Sequence, residues 1–269
     1  MWDGCSCHFP VEVAAFDRKS FTTSRSLTFV PKLLSSGYRI LIPDLLGYGD
    51  TAKPEDPTAY SSKSMAFDLA EILAAEGITH TIVIGHDWGS FLGQRLYFWA
   101  PERVAGLVML NVAYFPRLDR DFDFDQFNAT AERATGLQRW SYWGFYASEA
   151  ASAICSAHPD SLWYLAGKNL KREWLLRMEK NGFEGPLCWY KAIVGGITPA
   201  TESELDPDLL VVKVPALFIG PSKDQLCLTS AIRAPWAQGF LPDLQIKQLD
   251  CFHRPMLENP EELALSIKH

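Results

Sequence analysis

Short apolar runs with strand character alternate along this chain with segments whose apolar residues recur at helical spacing. The helical spacing is clearest for Met65, Leu69, Ile72 and Leu73, and Gly77 follows them as a C-terminal stop. Strands that alternate with helices are typical of a mostly parallel central sheet with helices on both faces, so the sequence predicts an α/β fold. The strand-like runs are 39–44, 81–84, 106–110, 216–219 and 244–249.

The segment between residues 115 and 207 has a different pattern. It lacks strand-like runs, and aromatic residues crowd into helical patterns at 140–146 and 160–165. A helical insertion that follows a strand's C-terminal end lies where open α/β sheets bind ligands. We therefore predict a helical lid at 115–207 between two parts of one core, 1–114 and 208–269.

Composition and charge narrow the class of partner. The 269 residues are 48% hydrophobic and 21% charged, as in ordinary globular proteins, and Lys+Arg 25 against Asp+Glu 32 gives a net charge of −7. No block of like charge supports a nucleic-acid partner. No apolar run reaches the roughly 18 residues that a membrane span needs. We therefore expect a small-molecule partner, and the sequence leaves a homodimer open.

Cysteine usage bears on the compartment and on metals. The six cysteines are scattered, and the first ten residues lack the features of a secretory signal, which predicts a cytoplasmic protein. Cys5, Cys7 and His8 lie close together, but the second ligand pair of a zinc site is missing nearby. No metal is predicted.

Asp87 lies in a Gly-x-Asp-x-Gly segment between a buried strand and an apolar helix. This arrangement matches a nucleophile elbow in which Asp replaces Ser. Gly85 and Gly89 leave space for a strained turn, and the helix N-terminus favours the carboxylate form. Asp87 is therefore the predicted nucleophile, with a simple Asp-capped turn as the alternative.

His253 and Asp224 follow later strands and complete the chain order nucleophile, acid, histidine. A carboxylate nucleophile needs no base to deprotonate it. A histidine would therefore serve the second step, in which it activates water against the ester that Asp87 forms. Asp224 would orient that histidine.

Four segments carry a family resemblance. Together they are similar to the soluble epoxide hydrolases of the α/β-hydrolase superfamily, from about Thr22 to the C-terminus. The resemblance implies an α/β-hydrolase fold with a lid, and an enzyme that uses water and no cofactor to convert an epoxide to a vicinal diol. The segments are 43–54, 85–89, 223–224 and 253–260.

The resemblance also assigns three aromatic residues. Two lid tyrosines hold the epoxide oxygen in that family, and Tyr142 and Tyr190 match them. Phenols suit this role because a hydrogen bond to the incipient alkoxide stabilises the transition state. Trp88 resembles the residue whose backbone N–H contributes to the oxyanion hole and whose indole lines the pocket.

The N-terminal part, residues 1–21, departs from the family pattern as an atypical or truncated start. A His-Gly-Phe-Pro loop normally supplies the other oxyanion N–H, but its positions here are Arg18-Lys-Ser-Phe21. Residues 11–16 are the candidate for the strand before that loop, with Glu12 unfavourable inside a buried sheet. This departure predicts poor solubility or slow turnover.

Two alternatives remain open at this level. A haloalkane or haloacid dehalogenase shares the nucleophilic Asp, the acid and the His, and Trp88 suits both activities, so the lid tyrosines decide between them. A catalytically impaired, ligand-binding protein is the second alternative, because the loop at 18–21 has changed.

Overall fold

The structure is a computed structural model that describes residues 12–17, 30–35, 37–159 and 171–268. In these ranges, six strands form one sheet in the order β2-β1-β3-β4-β5-β6, and every neighbouring pair is parallel. The predicted α/β fold is confirmed. The strands are β1 (Glu12–Asp17), β2 (Arg39–Leu41), β3 (Thr81–His86), β4 (Val104–Leu110), β5 (Ala216–Pro221) and β6 (Leu244–Leu249).

Helices follow or precede these strands as the apolar periodicity predicts. The helix predicted from the spacing of Met65 to Leu73 is Ser62–Ala75, and Gly77, the predicted stop, adopts the left-handed conformation, with φ +71°, that favours glycine. The helices outside 115–207 are α1 (Val30–Leu34), α2 (Ser62–Ala75), α3 (Trp88–Trp99), α10 (Arg233–Ala237), α11 (Pro255–Glu258) and α12 (Pro260–Lys268). None of the helices in the described ranges is long and apolar enough to cross a membrane.

Strand β1 lies at the position for which the sequence offered residues 11–16 as a candidate strand. It lies between β2 and β3, with Glu12 opposite both Arg39 and Thr81, and Asp17 opposite His86. The segment proposed as the replacement strand is therefore a strand inside the sheet. Residues 18–21, where the resemblance places the family loop, lie outside the described residues.

Strand β2 is shorter than the predicted 39–44, since it ends at Leu41. Proline has no N–H to donate to a neighbouring strand, so Pro43 cannot extend the ladder. The segment continues as the loop that leads into the turn at Gly47 and Gly49.

The described residues between 115 and 207 form helices and no strand. The aromatic run predicted at 140–146 begins at Trp140, which precedes a helix, and continues in that helix, Ser141–Ala147; the predicted helix at 160–165 lies outside the described residues. The helices are α4 (Phe124–Thr135), α5 (Ser141–Ala147), α6 (Ala151–Ala157), α7 (Lys171–Asn181), α8 (Glu184–Val194) and α9 (Ile197–Glu202).

A buried ion pair joins this helical segment to the core. Arg95 of α3 donates from Nε and Nη2 to the two carboxylate oxygens of Glu202 at 2.8 and 2.9 Å, and both side chains are fully buried. Arg95 also donates to the carbonyl oxygens of Phe115 and Pro116, while Glu202 accepts from the Leu118 N–H at 2.7 Å. The pair thus ties both ends of the helical segment to α3.

Removing only one partner of this ion pair should strongly lower the stability of the protein. Arg95→Met leaves the Glu202 carboxylate buried without its partner, so we expect the free energy of unfolding to fall by about 3–5 kcal/mol in urea titrations. The double variant Arg95→Met/Glu202→Leu removes both charges and should recover most of that loss. A single variant within about 1 kcal/mol of the unchanged protein would contradict this account of the pair.

Candidate active site

Asp87 lies on a tight turn between β3 and α3. Its backbone has φ 53° and ψ −121°, which is rare for a residue other than glycine. A Cβ atom at Gly85 would overlap the Gly89 backbone and lie 2.6 Å from the Cα of Ser90. The glycine spacing predicted from the sequence is therefore what allows the turn, which presents Asp87 at the carboxyl end of the sheet.

His253 lies between the two carboxylates that the sequence grouped with it. Its Nδ1 is 2.8 Å from Asp224 Oδ2, and its Nε2 is 3.7 Å from Asp87 Oδ1. The Asp87 and His253 side chains are 17% and 28% exposed, whereas Asp224 is 3% exposed. The buried acid therefore orients the ring, with Nε2 on the side of Asp87.

Asp224 is held as a carboxylate by several donors. Burial raises the pKa of this group, but the hydrogen bond and charge of His253 and the N–H groups of Cys227 and Leu226 outweigh burial, and the pKa lies well below its ordinary value. The two N–H groups donate to Oδ1 at 3.1 and 2.8 Å. Asp224 is therefore ionised at neutral pH and available to stabilise a protonated His253.

Two residues that hold the His253 loop were missed by the sequence reasoning. Asn111, directly after β4, has φ 67° and donates from Nδ2 to Asp224 Oδ2 at 3.0 Å and to the His253 carbonyl oxygen at 2.7 Å. His86 Nε2 lies 2.7 Å from the same carbonyl oxygen, so this nitrogen carries the proton. An Asn after a buried strand is a weak signal for such a position.

The three aromatic residues assigned by resemblance lie together. The Trp88 and Tyr190 ring centroids are 5.2 Å apart, and those of Tyr142 and Tyr190 are 5.9 Å apart. Tyr142 comes from α5 and Tyr190 from α8, so two separate helices bring the two phenol rings together, and the ring of Tyr190 packs against Trp88, the residue after Asp87. Trp189 donates its indole N–H to the Leu46 carbonyl at 2.9 Å, which fixes α8 over the core.

A buried thiol lies beside these groups. The ligand atoms of Cys227, Asp87 and His253 all lie within 4.8 Å of one another. Burial raises the pKa of the Cys227 thiol well above its ordinary value, and the negative charges of Asp87 and Asp224 add to this. The thiol is therefore protonated at neutral pH, and no local sequence pattern points to Cys227 as a residue of the site.

Comparison with protein families and curated proteins is consistent with this geometry. A family model described as alpha/beta hydrolase fold matches residues 20–260. Epoxide hydrolase 3 of Siraitia grosvenorii is 41% identical over 85 residues, which cover 32% of this chain and 27% of the relative. Bifunctional epoxide hydrolase 2 of Sus scrofa is 24% identical over 268 residues, covering 87% of this chain and 46% of the relative. The matched part thus spans less than half of either relative.

Solved structures show the same fold. A crystal structure of an epoxide hydrolase from Vigna radiata superposes with a TM-score of 0.74 at 22% identity, over 96% of this chain and 90% of that chain. Epoxide hydrolase A from Mycobacterium thermoresistibile superposes with a TM-score of 0.76 at 20% identity, over 96% and 89%. The agreement extends along nearly the whole of both chains.

Proposed function

We propose, from the premise that this chain belongs to the α/β-hydrolase fold family, that it converts an epoxide to a vicinal diol. The observation that carries the proposal is the Asp87 carboxylate at the strained turn, with His253 Nε2 3.7 Å away. The paired phenol rings of Tyr142 and Tyr190 lie next to Trp88, which Tyr190 contacts. Curated relatives that bear the name epoxide hydrolase support it. The proposed site residues are Asp87, Asp224, His253, Tyr142, Tyr190 and Trp88.

Ring opening is the first step of the proposed reaction. A carboxylate oxygen of Asp87 forms a bond to an epoxide carbon while the bond from that carbon to the ring oxygen breaks. The ring oxygen accepts a proton from Tyr142 or Tyr190, whose hydrogen bonds strengthen as negative charge develops. The product is an ester between Asp87 and the opened substrate.

Ester hydrolysis is the second step. His253 Nε2 takes a proton from a water molecule as its oxygen attacks the ester carbonyl carbon, and Asp224 stabilises the imidazolium. The Trp88 backbone N–H, at the start of α3, stabilises the oxyanion. Collapse breaks the ester bond and returns the His253 proton to the leaving diol. Ester hydrolysis leaves one proton on Asp87. This proton passes through solvent to the tyrosine that protonated the ring oxygen, so both groups return to their starting states.

A dehalogenase remains the second candidate because of one observation on α5. The indole nitrogen of Trp143 is buried and has no hydrogen-bond partner among the described residues. Its ring centroid lies 5.2 Å from that of Trp88. An indole N–H without a partner, close to the residue that follows the proposed nucleophile, is a donor for a leaving halide, whereas the phenols suit an epoxide oxygen.

The tyrosines distinguish the two activities. Tyr142→Phe and Tyr190→Phe should each lower the rate of ring opening by about 10²-fold, because each removes one hydrogen bond made in the transition state. The rate is measured as diol formation from aryl and alkyl epoxides. Tyr146→Phe is the matched control, since its ring lies 4.9 Å from Tyr190 but has no assigned role. Tyr146→Phe should form diol at the rate of the unchanged protein.

Two other results would contradict epoxide hydrolysis. Turnover of haloalkanes that survives both tyrosine changes and is lost in Trp143→Phe would favour the dehalogenase. Binding of epoxides without turnover would favour the ligand-binding alternative.

We also propose a cytoplasmic location. The cysteines of the described residues, Cys155, Cys188, Cys227 and Cys251, are buried and form no disulfide. Unpaired thiols are typical of a reducing compartment.

A further inference from the structure

The proposed reaction uses Asp87 and His253 but leaves the adjacent thiol of Cys227 without a role. Cys227 follows β5 in the loop that contains Asp224, and its side chain is buried. Its Sγ, an Asp87 carboxylate oxygen and a His253 ring nitrogen are all within 4.8 Å of one another. One sulfur, one nitrogen and one oxygen atom that can bind a metal therefore lie close together.

The spacing of these atoms is close to that of a tetrahedral zinc complex. Zinc bonds of about 2.3 Å to sulfur and about 2.0–2.1 Å to nitrogen or oxygen place the ligands roughly 3.2–3.8 Å apart. The 3.7 Å between Asp87 Oδ1 and His253 Nε2 falls in this range. Because the thiol sulfur lies within 4.8 Å of both other atoms, it needs to move by no more than about 1 Å to reach this spacing.

The environment of His253 is also that of a metal ligand. Its Nδ1 bonds to Asp224 Oδ2 at 2.8 Å, so in the neutral ring Nδ1 carries the proton and Nε2 keeps its lone pair. Histidines that bind metals almost always donate the other N–H to a carboxylate or carbonyl in this way. The Asp87 and His253 side chains are partly exposed, which gives an ion access from solvent.

We propose that Asp87, Cys227 and His253 form an inhibitory site for a thiophilic divalent cation such as Zn²⁺ or Cd²⁺. Binding forms bonds from the ion to the Asp87 oxygen, His253 Nε2 and Cys227 Sγ, and the thiol proton passes to solvent. Water completes the coordination. Mg²⁺ and Ca²⁺ are not expected to bind, because they prefer sites built from oxygen ligands.

The consequence for activity rests on the proposed function. The bound ion occupies the oxygen that attacks the epoxide and the nitrogen that activates water, so both steps stop together. Removal of the ion by a chelator restores both groups. Binding itself depends only on the three side chains and is measured separately.

Binding is tested directly with Zn²⁺, Cd²⁺ and Co²⁺ on the full chain. Equilibrium dialysis should give one Zn²⁺ per chain. Cys227→Ser should weaken the affinity by at least about 10²-fold, because removing a direct metal ligand lowers the affinity more than removing a residue that hydrogen-bonds to a ligand. The Co²⁺ complex should show a thiolate-to-metal absorption band that is absent in Cys227→Ser. Cys251→Ser, a change at another buried thiol two residues from His253, should keep both the affinity and the band.

The second test measures inhibition of diol formation by Zn²⁺. Zn²⁺ should stop diol formation, EDTA should restore it, and Cys227→Ser should turn over in the presence of Zn²⁺ at concentrations that stop the unchanged protein. No bound Zn²⁺, or a Co²⁺ complex without the thiolate band, would overturn the proposed site whatever the activity. Stoichiometric binding together with full turnover in Zn²⁺ would overturn the inhibitory role and would also contradict the roles assigned to Asp87 and His253.

Discussion

The Asp87→Ala protein is expected to form no measurable diol from any epoxide that the unchanged protein hydrolyses. Removing a nucleophile on which the later step also depends costs about 10⁴-fold or more in turnover. No described carboxylate other than Asp87 and Asp224 is assigned to the site. Asp224 is held by four hydrogen bonds and contacts His253 at Nδ1, whereas Asp87 lies near Nε2. Diol formation by chromatography is the measurement.

Controls for Asp87→Ala must separate chemistry from folding, because Asp87 has φ 53°. Asp87→Asn tolerates this conformation and lacks a nucleophilic carboxylate, so it should fold normally and turn over slowly. Asp68→Ala removes an exposed carboxylate from α2 and should keep the full rate. Unchanged turnover in Asp87→Ala would end the hypothesis that Asp87 is the nucleophile.

The His253→Gln protein should divide the reaction into its two halves. Ring opening does not need the imidazole, whereas ester hydrolysis does, so turnover should fall by about 10² to 10⁴-fold while a covalent adduct accumulates. Intact-mass analysis should show the mass of the protein plus one substrate. His80→Gln, at an exposed position before β3, is the control that should form no adduct.

The opposite result for His253→Gln is also informative. A protein that consumes no substrate and carries no adduct would mean that His253 is needed for ring opening as well. The second step would then not be its main role, and the division of labour between Asp87 and His253 would be wrong.

Local sequence signals predicted the parts of the fold and site that depend on neighbouring residues. The glycines around Asp87 and the flanking apolar strand and helix determine the turn, because a Cβ at Gly85 would overlap the next turn of backbone. The strand at Glu12–Asp17 was predicted at residues 11–16, because the family has a strand before its loop and an apolar segment lies at these positions.

Interactions between distant residues left no such signal. Arg95 and Glu202 are 107 positions apart, and each by itself is an ordinary charged residue on a helix. Asn111 and His86 hold the His253 loop through its carbonyl oxygen, which any residue possesses. The position of Cys227 depends on the path of the loop after Asp224. Residues 18–21 lie outside the described residues, so the expected effect of their changed sequence on the oxyanion hole stays a prediction.

The most direct test of the ester mechanism is a single turnover in heavy-oxygen water with protein in excess over epoxide. In the proposed reaction water attacks the ester carbonyl, so the heavy oxygen should appear in the peptide that contains Asp87, and the first diol should contain none. Heavy oxygen in that first diol, with none in the Asp87 peptide, would show that water attacks the epoxide directly and would contradict the account.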